Sequence, residues 1–173
     1  MRSLLIPALT AALVSAAVAD ELPDAKPVPA LQILPLPDDE AAVTWNGVEL
    51  TRYRFGSDQR RTFWYPLIDP GSGRSVTRMG HPHDAVSHSH HNSLWISHHI
   101  VDGIDFWGDR GKAVGRILHD PAKVKYFDQG DDGSAGAGAE VATRWVRDED
   151  GKTLLLEKRR FETAMPARTA GSW

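Results

Sequence analysis

The sequence predicts an all-β protein, an antiparallel β-sandwich or barrel-like sheet built of hairpins, after an N-terminal signal peptide. Three observations carry that expectation. Apolar, β-branched and aromatic runs are short, turn residues separate them at close intervals, and Asn46-Gly47 stands between two of the runs. Asn and Gly tolerate the positive φ angles that a type I′ turn demands, so this dipeptide is a strong local hairpin signal. Many short strands with frequent turns favour sheet packed on sheet.

The elements follow in chain order. Arg2, the apolar run from Leu4 to Val14 and the small-x-small triplet Ala17-Val18-Ala19 make the three parts of a signal peptide over residues 1–19, with Asp20 opening the mature chain. The run is too short to serve as a permanent anchor, and no later segment is long and apolar enough to span a bilayer. The expectation is an exported protein, periplasmic or secreted, without a membrane span once the signal is removed. Residues 20–40 carry Pro23, Pro27, Pro29, Pro35 and Pro37 and read as an extended Pro-rich leader with a short edge strand at Leu31–Leu34. Residues 41–173 then form a single β-domain.

Within that domain, Ala42–Trp45 and Val48–Tyr53 flank Asn46-Gly47. Thr62–Ile68 is strand-like and aromatic, and Pro66 assigns it to an edge or a bulge. Further strands are expected at Ser93–Val101, Ile104–Trp107, Val114–Leu118 and Lys123–Phe127, with a flexible loop over Gly130–Gly138. Val141–Val146 and Thr153–Phe161 flank Asp148-Glu149-Asp150-Gly151 as a last hairpin, against a competing helix at Leu154–Thr163 from the helix-favouring run Leu-Leu-Leu-Glu-Lys-Arg-Arg. The chain stops at Trp173 directly after a strand, which reads as a domain truncated at its C-terminus.

Composition narrows the function classes. The chain has no cysteine, so disulfides and thiolate metal sites are excluded. A formal net charge of −3, with Lys and Arg scattered among Asp and Glu, argues against nucleic acid as a partner. Histidine is the exception to this even spread: seven of the eight lie between His81 and His99. Imidazole titrates near neutral pH and is the commonest protein metal ligand. In extended backbone His88 and His90 share a face, His91 points away, and His98 can complete a set from a neighbouring strand. The candidate ligands for copper or zinc are therefore His88, His90 and His98, and the candidate acid/base groups are His90, His91 and His98. On the expected strand His98 shares a face with Leu94, Ile96 and Ile100, where a neutral ring needs a hydrogen-bond partner. Asp105 is placed to orient a histidine, to act as a base, or only to end a turn. Trp95 and Trp107 are either a stacking platform for a saccharide or core residues, and Arg78 either binds a ligand or makes a surface ion pair. Glu157 and Arg159 alternate on one strand face as a solvated surface or a site wall. No nucleophile elbow, Walker loop or dinucleotide fingerprint is present.

Phe63–Ile68 with Val76-Thr77-Arg78, then His88–Trp95, then Gly103-Ile104-Asp105-Phe106-Trp107, together resemble consecutive blocks of the methane oxygenase PmoA family of exported proteins. The resemblance runs from about Val48 to Phe161. It departs from the family pattern at Ser87 and Asn92, which replace an acidic residue and an arginine. It implies a longer parent domain and adds His119 to the substrate-binding candidates, because the pattern places histidine at that position and at His98. It does not imply methane oxidation, which belongs to a multi-span membrane subunit. By analogy with exported saccharide-degrading proteins it implies a small-molecule ligand such as a saccharide, acted on by histidine acid/base chemistry; a copper or zinc protein and a non-catalytic envelope binding domain are the alternatives.

Overall fold

The computed structural model describes residues 27–80, 88, 90–128 and 135–165. The expected signal peptide and the first residues of the expected leader, His81, His83 and the chain after Met165 lie outside the described residues. Among those described there is no helix, so none is long and apolar enough to cross a membrane.

The first layer is a meander of β1 (Leu31–Leu36), β2 (Glu40–Trp45), β3 (Val48–Arg54) and β4 (Phe63–Asp69), each antiparallel to the next, followed by the two-residue strand β5 (Arg74–Ser75). β6 (Leu94–Trp95) returns to pair with β4. Asn46 and Gly47 turn β2 into β3 with φ of 49° and 81°, the left-handed pair that the dipeptide predicts. β4 is flanked by β3 and β6 rather than lying at an edge. Its Pro66 is accommodated by a bulge, since the β3–β4 register shifts between Thr51 and Tyr53.

The second layer holds β9 (Gly115–Phe127), β10 (Gly136–Arg147) and β11 (Thr153–Ala164), with β10 in the centre. The last segment is strand rather than helix because its inward residues, Glu157, Arg159 and Phe161, alternate at period two against β10. The two expected strands at 114–118 and 123–127 are continuous in β9, but Asp120–Lys123 stand opposite the single residue Ala142. That wide bulge contains Pro121, which lacks an N–H for the ladder.

Leu31, Ile33, Val43, Leu50, Tyr53 and Trp64 of the first layer pack on Ala137, Ala139 and Val141 of β10 to make the core. Gly138 lets β10 lie close to its two neighbouring strands: a Cβ there would run into the Phe161 carbonyl oxygen and the Phe127 ring. The interface also encloses polar groups. Arg159 reaches across it to Thr62 Oγ1 (3.3 Å) and the Ile96 carbonyl (3.2 Å). Glu157 accepts from Arg159 (2.7 Å), Trp145 Nε1 (2.7 Å) and Thr143 Oγ1 (3.0 Å). Burial alone would raise the Glu157 carboxyl, yet these bonds together hold it below its ordinary range. Glu157 and Arg159 are thus bonded into the sandwich rather than spread on a solvated face.

A second, smaller core of Ile104, Phe106, Ile117 and Trp145 packs under the hairpin of β7 (Ile100–Val101) and β8 (Ile104–Asp105). The continuous strand expected at Ser93–Val101 does not form. Ser93 adopts φ of 60°, and Ser97 Oγ donates to the Phe106 carbonyl (2.6 Å), so the backbone leaves the ladder between β6 and β7. Leu94, Ile96 and Ile100 are exposed as a result, and so is His98.

Candidate functional site: a three-histidine turn

The segment between β5 and β9 is the least regular described part of the chain, and it holds the histidines. His88 adopts φ of 59°, and the His91 amide donates to the His88 carbonyl (3.0 Å). The backbone therefore turns where the sequence reading assumed extension. A turn removes the period-two separation of faces. His91 no longer points away: the His88 and His91 rings stack with centroids 4.8 Å apart, and His90 lies edge-on to His91 at 4.6 Å. One ring nitrogen from each of the three comes within 4.8 Å of the others. His98 is not in this set. Its Nδ1 lies 3.0 Å from the Ile100 carbonyl, so His91 takes the place that the sequence reading gave to His98.

Arg61 fixes the turn from below, and the sequence reading missed it. Its side chain is 1 % exposed. It donates to the His90 carbonyl (2.8 Å), Asn92 Oδ1 (3.1 Å), the Gly108 carbonyl (3.2 Å) and Asp109 Oδ1 (2.8 Å). Its guanidinium carbon also lies 4.6 Å from the Trp95 ring centroid, a cation–π contact. Burial pulls the guanidinium pKa down and the Asp109 carboxylate opposes that shift, which makes the ion pair a condition of placing this charge inside. The one sequence signal is Arg60-Arg61 immediately before an aromatic strand, where an inward cation has to be satisfied by loops that no local pattern identifies. Other ties join the turn to the sandwich: Gly80 N donates to the His91 carbonyl (2.6 Å) and Ser93 Oγ to Thr77 Oγ1 (2.7 Å).

The two tryptophans come together, with ring centroids 4.5 Å apart. Trp107 is 43 % exposed, so a core role does not describe it. Its Nε1 donates to His90 Nε2 at 3.2 Å, which leaves the proton of a neutral His90 ring on Nδ1. Arg78 approaches the His88 carbonyl through Nη2 (3.4 Å). Arg78, His91, Ser93, Trp95 and Trp107 line one groove of about 320 Å³. Asp105 takes the turn-ending role: its Oδ1 accepts from the amides of Trp107 (2.8 Å) and Gly108 (3.0 Å), and no bond to a histidine is recorded for it among the described residues. His119 is elsewhere, buried on β9 against Phe55 with ring centroids 4.3 Å apart. It is not part of the groove.

Chemically the turn has the donors of a nitrogen-ligand metal site. Zinc–imidazole bonds of about 2.0–2.1 Å place tetrahedral ligand nitrogens roughly 3.3 Å apart, so rotation of the imidazoles would have to close the set by about 1.5 Å. Partial burial first, then the neighbouring His91, pulls the His90 pKa down. A neutral ring is the form that ligates a metal, and His90 would have to give up the Trp107 bond to offer Nε2 to one.

Residues 40–173 match the family model of DUF6807, a family of unknown function. The chain belongs to DUF6807. This corrects the resemblance to the methane oxygenase PmoA family, for which no family match is found, and removes the analogy through which a saccharide role was inferred. Neither a curated protein nor a solved structure matches the DUF6807 chain.

Proposed function

We propose that this DUF6807 protein is an exported metalloprotein in which His88, His90 and His91 hold a zinc or copper ion beside a groove for a hydroxylated small molecule. The observation that carries the reading is the convergence of three imidazole nitrogens within 4.8 Å on a turn latched by a buried arginine. Three histidine ligands leave a coordination position open for water or a ligand oxygen. In the groove, the exposed Trp107 face with Trp95 suits the C–H face of a sugar-like ring, and Arg78 suits a carboxylate or hydroxyl.

Elemental analysis of untagged protein after dialysis tests the metal. About one equivalent of zinc or copper is expected, with affinity falling about 10-fold or more in His90→Ala and His91→Ala and staying level in His98→Ala. Substoichiometric metal that a mild chelator removes would sink the reading. Because the Trp107 ring lies 6.3 Å from the His90 ring, Cu²⁺ binding is also expected to quench tryptophan emission in wild type and much less in Trp107→Phe. Export is tested by N-terminal sequencing of the mature protein, expected to begin at Asp20.

A second reading, metal-free acid/base catalysis by His90, draws on its depressed pKa and its place beside the groove. Turnover of any hydroxylated substrate that survives chelation but not His90→Ala would favour it over the metal.

A further inference from the structure

The edges of the two layers differ in how they meet solvent. β5 and β6 present two residues each, too few to seat another strand. β1 carries Pro35, and its Ile33 amide is taken by Asp128 Oδ1 (2.9 Å). β9 is interrupted by the bulge around Pro121. β11 has none of these devices: it runs for 12 residues without proline or glycine and pairs only with β10. Among the described residues, no backbone bond joins Thr153–Ala164 to anything outside that ladder. Its far side is therefore a row of unpaired N–H and C=O groups, a template for a further strand.

Side chains at this edge also lack cover. Leu156 is 73 % exposed and Leu155 is 41 % exposed. The Arg159 bond to the Ile96 carbonyl brings the exposed Leu94 and Ile96 to the same side of the sandwich. The inward Glu157 and Arg159 neutralise each other at 2.7 Å, so they do not repel an incoming strand.

The outward face of β11 reads Leu156, Lys158, Arg160, Glu162, Ala164, and that order is self-complementary in one antiparallel register. A two-fold axis at Arg160 sets Lys158 of each copy opposite Glu162 of the other, and Leu156 opposite Ala164. Arg160 then meets its own copy, with each guanidinium already bonded to Glu140 (2.8 Å) and Glu162 (3.2 Å). An axis at Arg159 would oppose Lys158 to Arg160, like charge against like. An axis at Phe161 would leave Lys158, which has no ion-pair partner among the described residues, facing Ala164.

We infer that β11 is a dimerisation edge, at which a second copy of this chain adds its own β11 antiparallel about an axis at Arg160. The pairing joins the two copies' second layers into one continuous sheet and covers Leu156.

Sedimentation of the full chain with EDTA present tests this, so that the outcome does not depend on the metal reading. A concentration-dependent dimer is expected, with a Kd of about 10–100 µM for so small an interface. Lys158→Glu and Glu162→Lys are each expected to weaken it about 10-fold, because like charges then stand opposite each other. An equimolar mixture of the two variants is expected to recover wild-type association, since the mixed dimer restores both opposite-charge pairs. Leu156→Lys, at an exposed site, is expected to weaken the dimer about 10-fold without moving the thermal transition. The inference is overturned if the chain stays monomeric up to about 1 mM, as it would with residues 166–173 covering the edge. It is equally overturned if the charge reversals leave the dimer unchanged, or if mixing them restores nothing.

Discussion

The sandwich body and the histidine segment are stabilised by different physics. In the body, long antiparallel ladders and an apolar core specify position, and the buried side chains from Leu31 to Val141 lock the two layers. In the segment between β5 and β9 the strands shrink to two residues each, and geometry is carried by side chains bonding to backbone, above all by Arg61. The difference teaches that this site is an attachment to the fold rather than a consequence of it. It can be undone while the sandwich stands.

That separation is open to direct attack. The largest effect is expected from Gly138→Ala, which forces a methyl group into the Phe161 carbonyl and the Phe127 ring. It should cost about 3 kcal/mol, read as a lower urea midpoint, and remove metal binding only when the whole domain unfolds. Arg61→Leu comes next. It leaves the acceptors of the latch without their donor and should cost about 2 kcal/mol. Metal affinity should fall about 100-fold under conditions where circular dichroism still reports the sheets, with Arg61→Lys recovering only part of it because lysine cannot form the fork. Equal loss of sheet and site in Arg61→Leu would show that the two regions are one cooperative unit.

A smaller effect concerns pH. Burial depresses the His119 pKa below its ordinary value of 6.5. The unfolded chain therefore takes up a proton below about pH 6.5 that the native ring refuses, so stability is full above that pH and declines as pH falls toward the native value. His119→Phe should flatten this part of the stability profile in urea titrations; an unchanged slope would show that the ring is not desolvated. The smallest effect is expected from Asp150→Asn. The Arg147 side chain, 2.6 Å away, holds the Asp150 carboxyl far below its ordinary range, yet both groups are open to solvent. Solvent screens such a pair, so no measurable shift of the thermal midpoint is expected.

Local signals in the sequence were decisive where the structure is itself local. Asn46-Gly47 and Asp148–Gly151 each specify a hairpin through backbone angles that few residues accept. The alternation of Glu157, Arg159 and Phe161 overrides the helix propensity of the run around it, because only a strand sets all three on the one inward face of the sheet. The same period-two logic failed at 88–101. It assumed extension, whereas His88 and Ser93 take left-handed angles. That error put His98 with the cluster and His91 outside it, and the turn reverses both assignments.

The sequence by itself therefore determined the all-β class, the main hairpins and the stretch of chain in which the histidines gather, since these depend on neighbours a few residues apart. Only the tertiary structure decided which imidazoles converge, that Trp95 and Trp107 meet, and that Glu157 and Arg159 are enclosed. It also decided that Arg61 latches the turn from 29 residues away while His119 sits apart with a buried, unpartnered ring nitrogen. Those outcomes rest on satisfying buried charges and hydrogen bonds across the fold, and partners so far apart leave no periodic mark along the chain.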